Sequence, residues 1–207
     1  MLNSVKEQAN MYNTTDNAHL SLHGHVLISD ADTGEVLLDK FNAINFENMA
    51  IAIANLLANQ TDANGNGYYI TKIRFGRGGT MIDTNGNITY KQPNTSGPGQ
   101  TLYEQGFGSS GTTIFEKTAE SFEITGESGQ TYRDLTTIVV LDYNEPATAL
   151  ASDNASDFDD PENYVFDELA LVGDNDELLT HLIFHPIQKS LNRKLESRYT
   201  LRITAGS

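Results

Sequence analysis

Strand-like runs of apolar residues, separated by polar turns, recur along this chain and predict a protein built mainly of β-strands. Residues 23–30 and 36–39 have strand composition near the start of the sequence. Between them, Asp32-Thr33-Gly34-Glu35 has the composition of a tight turn. The pattern therefore predicts a β-hairpin at this point.

The middle of the sequence is rich in turns and contains further short strands. Asn85-Gly86 separates residues 80–82 from 87–90, and this dipeptide is a strong hairpin signal. Residues 121–125 and 134–143 also have strand composition and are joined by a glycine-containing turn.

The last part of the chain predicts three more strands, at residues 164–172, 177–185 and 198–204. The first two are separated by an acidic, polar turn, which is typical of a hairpin. We expect all three to lie in one antiparallel sheet. In the final strand, alternation predicts that Leu201 and Ile203 point inward and Arg202 outward.

One helix is predicted over residues 45–59. Asn45 is a suitable N-cap, and the alanines that follow favour helix over strand. Apolar residues recur at helical spacing, and the stripe that they form is expected to be buried against the sheet. The stripe consists of Met49, Ile53, Leu56 and Leu57.

Together these elements predict a mostly β fold, namely an antiparallel β-sandwich with one packed α-helix and long loops. Residues 1–18 are polar and rich in Asn and Thr, and we interpret them as an N-terminal arm that is ordered against a partner. Residues 19–207 are predicted to form a single β-sandwich domain, with inserted loops at 92–111 and 144–163.

Composition narrows the classes of function. The net charge of −15 argues against a sequence-independent grip on nucleic acid, which requires clustered Lys and Arg. There is no cysteine, so disulfides, thiolate metal sites and cysteine nucleophiles are excluded. No apolar run approaches the roughly 20 residues of a membrane-spanning helix, and the start of the sequence lacks signal-peptide features. We therefore expect no membrane partner and assembly in the cytoplasm.

Two sets of residues are candidate metal ligands. His23 and His25 share one face of a strand, and His181 and His185 share a face of another. If these strands pair, the four imidazoles would converge on zinc or a similar ion. The alternative is that each histidine is an ordinary strand residue. We favour this alternative and therefore expect no metal ion and no cofactor.

Asp62, Asn64 and Asn66 match the start of a calcium-binding loop. The twelfth loop position is Ile73, where such a loop needs a bidentate Glu, so turn chemistry explains the sequence better. Residues 76–79 (Gly-Arg-Gly-Gly) resemble a phosphate loop only superficially, because no Gly-Lys-Ser/Thr ending and no helix follow. We interpret them as the exit of a strand.

No known catalytic motif is present: the sequence contains no Gly-x-Ser-x-Gly and no His-Glu-x-x-His. We therefore expect a protein that is not an enzyme and that has no small-molecule substrate.

Two groups of motifs resemble virion structural proteins of tailed bacteriophages. The first comprises Phe-Asp-Glu-Leu at 166–169, an acidic turn, a Leu-Leu strand, Pro-Ile-Gln-Lys at 186–189 and a closing strand. The second comprises Thr-Gly-Glu-Val-Leu at 33–37, Asn-Ala-Ile at 42–44, a helix, and a strand ending in Phe-Gly-Arg-Gly-Gly within 70–79. Together the two groups cover roughly half of the chain.

The resemblance implies a non-enzymatic subunit that forms or attaches to an oligomeric ring or tube in the tail, neck or baseplate of a virion. Its partners would be copies of itself and other virion proteins. Three alternatives remain. One is a capsid decoration or head-fibre protein. Another is a host carbohydrate-binding module, and the last is a polysaccharide-degrading enzyme with two acidic side chains across a cleft. The carbohydrate-binding alternative requires that exposed aromatic residues line one groove; the candidates are Tyr68, Tyr69, Tyr103 and Phe107.

Overall fold

The computed structural model describes residues 19–97, 99–104, 106–107, 113–143, 145, 165–190 and 192–206. The predicted arm at 1–18, and all of the predicted loop at 144–163 except Glu145, lie outside these residues. The described elements are one helix, α1 (Phe46–Ala58), and the strands β1 (His19–Asp30), β2 (Val36–Ile44), β3 (Ile70–Gly76), β4 (Thr80–Ile82), β5 (Ile88–Tyr90), β6 (Gly106–Phe107), β7 (Thr113–Thr118), β8 (Glu123–Thr125), β9 (Tyr132–Leu141), β10 (Val165–Gly173), β11 (Thr180–Gln188) and β12 (Leu195–Gly206).

Ten strands form one antiparallel sheet in the order β6-β7-β3-β10-β11-β2-β1-β12-β9-β8, and β4 and β5 form a separate hairpin. Strands β1 and β12 pair over their whole length, whereas β11 and β2 pair only at Thr180↔Ile44 and His181↔Ala43. The sheet bends at this short junction into two leaves, β6-β7-β3-β10-β11 and β2-β1-β12-β9-β8. The predicted β-strand fold with one helix is therefore confirmed.

The main core lies between the inner faces of the two leaves. Phe75, Leu171 and Phe184 come from the first leaf, and Val26 and Tyr199 come from the second; all five are at most 1% exposed. Because strand side chains alternate in direction, every second residue of these strands reaches this core. The arrangement is that of a β-sandwich made from one curled sheet.

The hairpin of β1 and β2 depends on its first turn residue. Asp30 Oδ1 accepts hydrogen bonds from the backbone N–H groups of Asp32 (3.1 Å) and Thr33 (2.9 Å), and Gly34 has a positive φ of 74°. Arg193 Nε donates to Asp30 Oδ2 at 2.8 Å. These bonds lower the pKa of Asp30 to about 2. The bond from the Thr33 N–H has the largest effect, and the bond from Arg193 has the next largest.

The three closing strands lie in one antiparallel sheet, as predicted, but the last is not a neighbour of the other two. Strand β12 lies between β1 and β9 in the second leaf, whereas β10 and β11 belong to the first. Leu201 is 3% exposed, and Arg202 points outward and donates to Asp134 of β9 at 2.7 Å. The final strand therefore completes the centre of the second leaf.

Helix α1 has the predicted caps. Asn45 accepts a hydrogen bond from the backbone N–H of Asn48, and Asn59 ends the helix in the left-handed conformation. The predicted burial of the whole apolar stripe is wrong, however. Met49 is 5% exposed, but Leu56 is 49% exposed and Leu57 is 85% exposed. The apolar arc of the helix is wider than the surface that the sheet covers, so its far side faces outward.

Candidate functional site

Asp167 and Glu168 of β10 form a buried acidic pair within the Phe-Asp-Glu-Leu motif. Asp167 is 5% exposed, and its carboxylate accepts hydrogen bonds from the backbone N–H groups of Gly79 (3.0 Å) and Thr80 (2.8 Å) and from the hydroxyl of Thr80. Burial raises the pKa of Asp167, and these hydrogen bonds oppose that rise. The carboxylate thereby fixes the chain where it leaves β3.

Glu168 is fully buried and holds a second loop. Its carboxylate accepts hydrogen bonds from the backbone N–H groups of Tyr103 (3.0 Å) and Glu104 (2.9 Å) and from His181 Nε2 (3.0 Å). The other ring nitrogen, Nδ1, accepts a bond from the backbone N–H of Asn94 at 2.9 Å. This pattern assigns the proton of His181 to Nε2 and makes the ring neutral. Burial raises the pKa of Glu168, and the bond from His181 opposes that rise.

These bonds hold the loop at residues 92–104 against the outer side of β10. Leu102 of this loop packs against Ala170, Val172 and Leu178 in a small apolar cluster. Strand β10 is therefore buried on both faces along its whole length.

The two motif groups that carry the phage resemblance meet in space at this acidic pair. Gly76, at the end of β3, is the register partner of Glu168. A Cβ atom at Gly76 would lie 2.7 Å from Leu102 Cδ1 and 2.8 Å from Glu168 Oε1, so a side chain there requires its neighbours to move. The glycine sequence at 76–79 thus serves close packing and carboxylate binding within the protein.

The acidic pair does not resemble the active site of a glycosidase. Asp167 and Glu168 are neighbours on one strand, and each carboxylate accepts three hydrogen bonds from within the protein: those of Asp167 come from the loop that follows β3, and those of Glu168 come from the loop at Tyr103 and Glu104 and from His181 of β11. They therefore do not face each other across a cleft at the separation that glycoside hydrolysis requires.

The candidate calcium ligands form a hydrogen-bonded turn. Asp62 Oδ1 accepts bonds from the backbone N–H groups of Asn64 and Asn66, both at 2.8 Å. The bond from Asn66 in particular lowers the pKa of Asp62. The same Asp-x-Asn-Gly-Asn sequence recurs at residues 83–87 in the β4–β5 hairpin, with the same pair of bonds at 2.8 Å. Turn formation therefore accounts for both sequences.

The four candidate histidine ligands are not brought together. Strand β2 lies between β1, which carries His23 and His25, and β11, which carries His181 and His185. His25 Nε2 lies 2.6 Å from Asp39 Oδ1, and His181 bonds Glu168. Among the described residues, no three His, Asp or Glu side chains are arranged to hold a metal ion.

The candidate aromatic residues do not form one groove. Tyr68 and Tyr69 line an apolar groove beside α1. Tyr103 instead packs against His181, with ring centroids 5.7 Å apart, and donates its hydroxyl to Gln92 O at 2.7 Å. The side chain of Phe107 lies outside the described part of the structure.

Among the described residues, the uncovered side of α1 forms an apolar surface that the sequence prediction missed. Phe46 is 69% exposed, Leu57 is 85% exposed, and neighbouring Leu20 of β1 is 50% exposed. They border a shallow depression of about 440 Å³ that is lined only by residues with apolar side chains. Large apolar residues clustered in this way mark an interaction surface. We call this surface the outer helix face; it consists of Leu20, Phe46, Ala50, Ala54 and Leu57.

On its other side, α1 borders an apolar groove of about 500 Å³. Leu135 of β9 and Leu201 and Ile203 of β12 form its floor, and Ile53 and Leu56 of α1 form one wall. Met49 and Ala52 anchor the helix between the outer helix face and this groove, so both apolar surfaces are built on one rigid element.

No protein-family model, curated protein or solved structure matches this chain. Within the part of the chain that the structure describes, no helix is long and apolar enough to span a bilayer.

Proposed function

We propose that this protein is a non-enzymatic structural subunit of a tailed-phage virion. In this proposal it assembles with copies of itself into an oligomeric ring or tube, or attaches to one, in the tail, neck or baseplate. The observation that carries the assembly role is the outer helix face, where Phe46 and Leu57 are mostly exposed. The virion setting is supported by the resemblance of the motifs at residues 33–44, 70–79 and 166–189.

The physical argument is the free energy of covering apolar surface. Burial stabilises a contact by roughly 25 cal/mol per Å² of apolar area. Phe46 and Leu57 would contribute most, because they are the largest exposed side chains of the outer helix face, whereas Ala50 and Ala54 allow close approach of another element. The contact is expected to be strongly apolar at its centre, as in obligate interfaces between subunits.

The buried acidic pair supports a structural role in a different way. Asp167 and Glu168 hold the loops at 76–80 and 92–104 in fixed positions, and a subunit that docks through its loops needs them to be preordered. The same surfaces would serve a capsid decoration or head-fibre protein, which therefore remains an alternative location for the subunit.

The assembly role is tested with Leu57→Lys and Phe46→Lys, measured by sedimentation velocity and native mass spectrometry over a range of concentrations. We expect the wild-type chain to form a discrete oligomer and both variants to shift to the monomer. Phe41→Lys is the matched control, because Phe41 is 72% exposed but lies on β2, away from α1. An unchanged oligomer in both helix variants would refute the outer helix face as the interface.

The virion role is tested separately by mass spectrometry of purified phage particles whose genome encodes this chain. We expect the protein to be present in stoichiometric amounts. Its absence from the particles would refute the virion role even if the isolated subunit oligomerises.

A further inference from the structure

A pocket of about 300 Å³ lies between the exit of β3, the β4–β5 hairpin and the start of β10. Its volume is at the lower end of the range for ligand sites, so it suits a small molecule. Part of its lining is aliphatic and comes from Met81 and Ile82 of β4, Ile88 of β5 and Pro186 of β11. Met81 is 57% exposed and Ile82 is 51% exposed, so a ligand in the pocket would cover apolar surface that is now open.

The lining also contains four charged groups whose formal charges cancel. Arg77 and Lys91 are basic, and Glu104 and Asp167 are acidic. An anion in the pocket would be repelled by the two carboxylates, and a cation would be repelled by the two basic groups. The balance of charge therefore favours a ligand that carries one charge of each sign.

Two of the four charged groups keep an unused hydrogen-bonding position. Lys91 Nζ lies 4.4 Å from the centroid of the Tyr103 ring, and it donates no hydrogen bond to a described residue. Glu104 accepts from Arg77 through Oε1 alone, at 3.1 Å from Nε and 2.8 Å from the terminal nitrogen. Within the described residues Glu104 Oε2 accepts no bond, so a ligand can bind Lys91 and Glu104 without displacing an existing partner.

The backbone holds both of these residues in place. The N–H of Lys91 donates to Gly79 O at 2.8 Å, and the N–H of Glu104 donates to Glu168 Oε1 at 2.9 Å. Preordered groups lose less conformational freedom on binding, which favours affinity for a small ligand.

We propose that this pocket binds a free aliphatic amino acid, of the kind represented by leucine. The ligand carboxylate accepts a hydrogen bond from Lys91 Nζ, its ammonium group donates to Glu104 Oε2, and its side chain lies against the aliphatic lining. Hydrogen bonds between charged groups are stronger than neutral ones, so the two ends of the zwitterion fix its orientation. The pocket shares no lining residue with the outer helix face, so the inference does not depend on the proposed function.

The binding test is a titration of the full-length, ¹⁵N-labelled chain with L-leucine, followed by amide NMR. The signals of Gly78, Thr80 and Glu104 should shift and reach saturation, whereas that of Glu123 on β8 should not move. Saturable shifts at the pocket are the expected result. Their absence, or shifts spread equally over the chain, would overturn the inference.

Three analogues of leucine test the assignment of its groups. The analogue 4-methylpentanoate lacks the ammonium group, 3-methylbutylamine lacks the carboxylate, and glycine lacks the aliphatic side chain. Each should bind at least about tenfold more weakly than leucine, because each loses one charged hydrogen bond or the apolar contact. Equal affinity for leucine and both analogues of single charge would overturn recognition of a zwitterion.

Two variants assign the partners within the protein. Lys91→Gln should weaken leucine binding at least about tenfold but leave 3-methylbutylamine unchanged, because that ligand has no carboxylate. Glu104→Gln should weaken leucine binding to a similar extent but leave 4-methylpentanoate unchanged. The matched controls Lys194→Gln and Glu123→Gln change the same charges outside the pocket and should retain wild-type affinity. Wild-type affinity in both pocket variants would overturn the inference.

Discussion

Removing the buried carboxylate of Glu168 is expected to destabilise the protein more than most single substitutions. In Glu168→Ala, three donors lose their acceptor: the N–H groups of Tyr103 and Glu104, and His181 Nε2. Each buried donor left unpaired costs about 1–3 kcal/mol, and removing one member of a buried polar pair typically costs about 3–5 kcal/mol in total. We therefore expect the free energy of unfolding to fall by about 3–5 kcal/mol, a large part of the roughly 5–15 kcal/mol typical of a domain.

Glu168→Gln gives a graded test, because it keeps the shape of the side chain but turns one acceptor into a donor. A loss of about 1–3 kcal/mol is expected, since one N–H group would then face an NH₂ group. Glu123→Ala is the matched control: Glu123 lies on exposed β8, and its replacement should change stability by no more than about 0.5 kcal/mol.

The assay is urea unfolding followed by circular dichroism, together with amide hydrogen exchange at Tyr103 and Glu104. The exchange measurement is specific, because both amides should lose protection in Glu168→Ala even under conditions where the sheet remains folded. A loss of stability below about 1 kcal/mol with protection retained at both amides would refute the loop-anchoring role of Glu168.

Three further predictions use the same unfolding assay. Measured at a concentration low enough for the chain to be monomeric, Met49→Ala should cost about 2–5 kcal/mol because Met49 is buried, and Leu57→Ala should cost no more than about 0.5 kcal/mol because Leu57 faces outward; equal costs would contradict the helix orientation. Tyr199→Phe should cost about 1–3 kcal/mol, because the buried hydroxyl of Tyr199 takes part in two hydrogen bonds. An unchanged free energy of unfolding would contradict that network. Wild type should exceed Asp30→Asn in stability above pH about 4, the ordinary range of an aspartate in the unfolded chain, and the difference should close as the pH falls towards 2. The sign follows because the bond from the Thr33 N–H lowers the pKa of Asp30 in the fold, so the native state binds fewer protons than the unfolded chain; a gap at pH 2 as large as that above pH 4 would contradict it.

Elements governed by neighbouring residues were predicted correctly from the sequence. The turn after Asp30 and the turn at Asn85-Gly86 depend on local hydrogen bonds and on glycine at a positive φ, 74° at Gly34 and 84° at Gly86. The start of α1 depends on the side chain of Asn45, three residues from the N–H that it binds. Such interactions span a few residues, so composition and spacing are sufficient to identify them.

The role of the acidic pair could not be predicted from the sequence. Asp167 and Glu168 stand in an apolar strand, where their spacing alone does not show whether they bind a ligand, face solvent or hold a loop. Their partners at residues 79–80 and 103–104 are more than sixty positions away. Only the pairing of β10 with β3, and the return of the 92–104 loop, decide which donors reach each carboxylate.

Strand-like apolar runs, turn residues and helical spacing were therefore sufficient to predict the elements of this protein, its local turns and its mostly β class. The tertiary structure alone decided which strands are neighbours and which surfaces remain open. Strand β12 pairs with β1 and β9 because the curled sheet brings distant segments together, a result of global packing that no local pattern encodes. Likewise, the apolar arc of α1 showed that the helix needs a partner surface, but the width of the sheet beneath it determined that Met49 is covered and Leu57 is not.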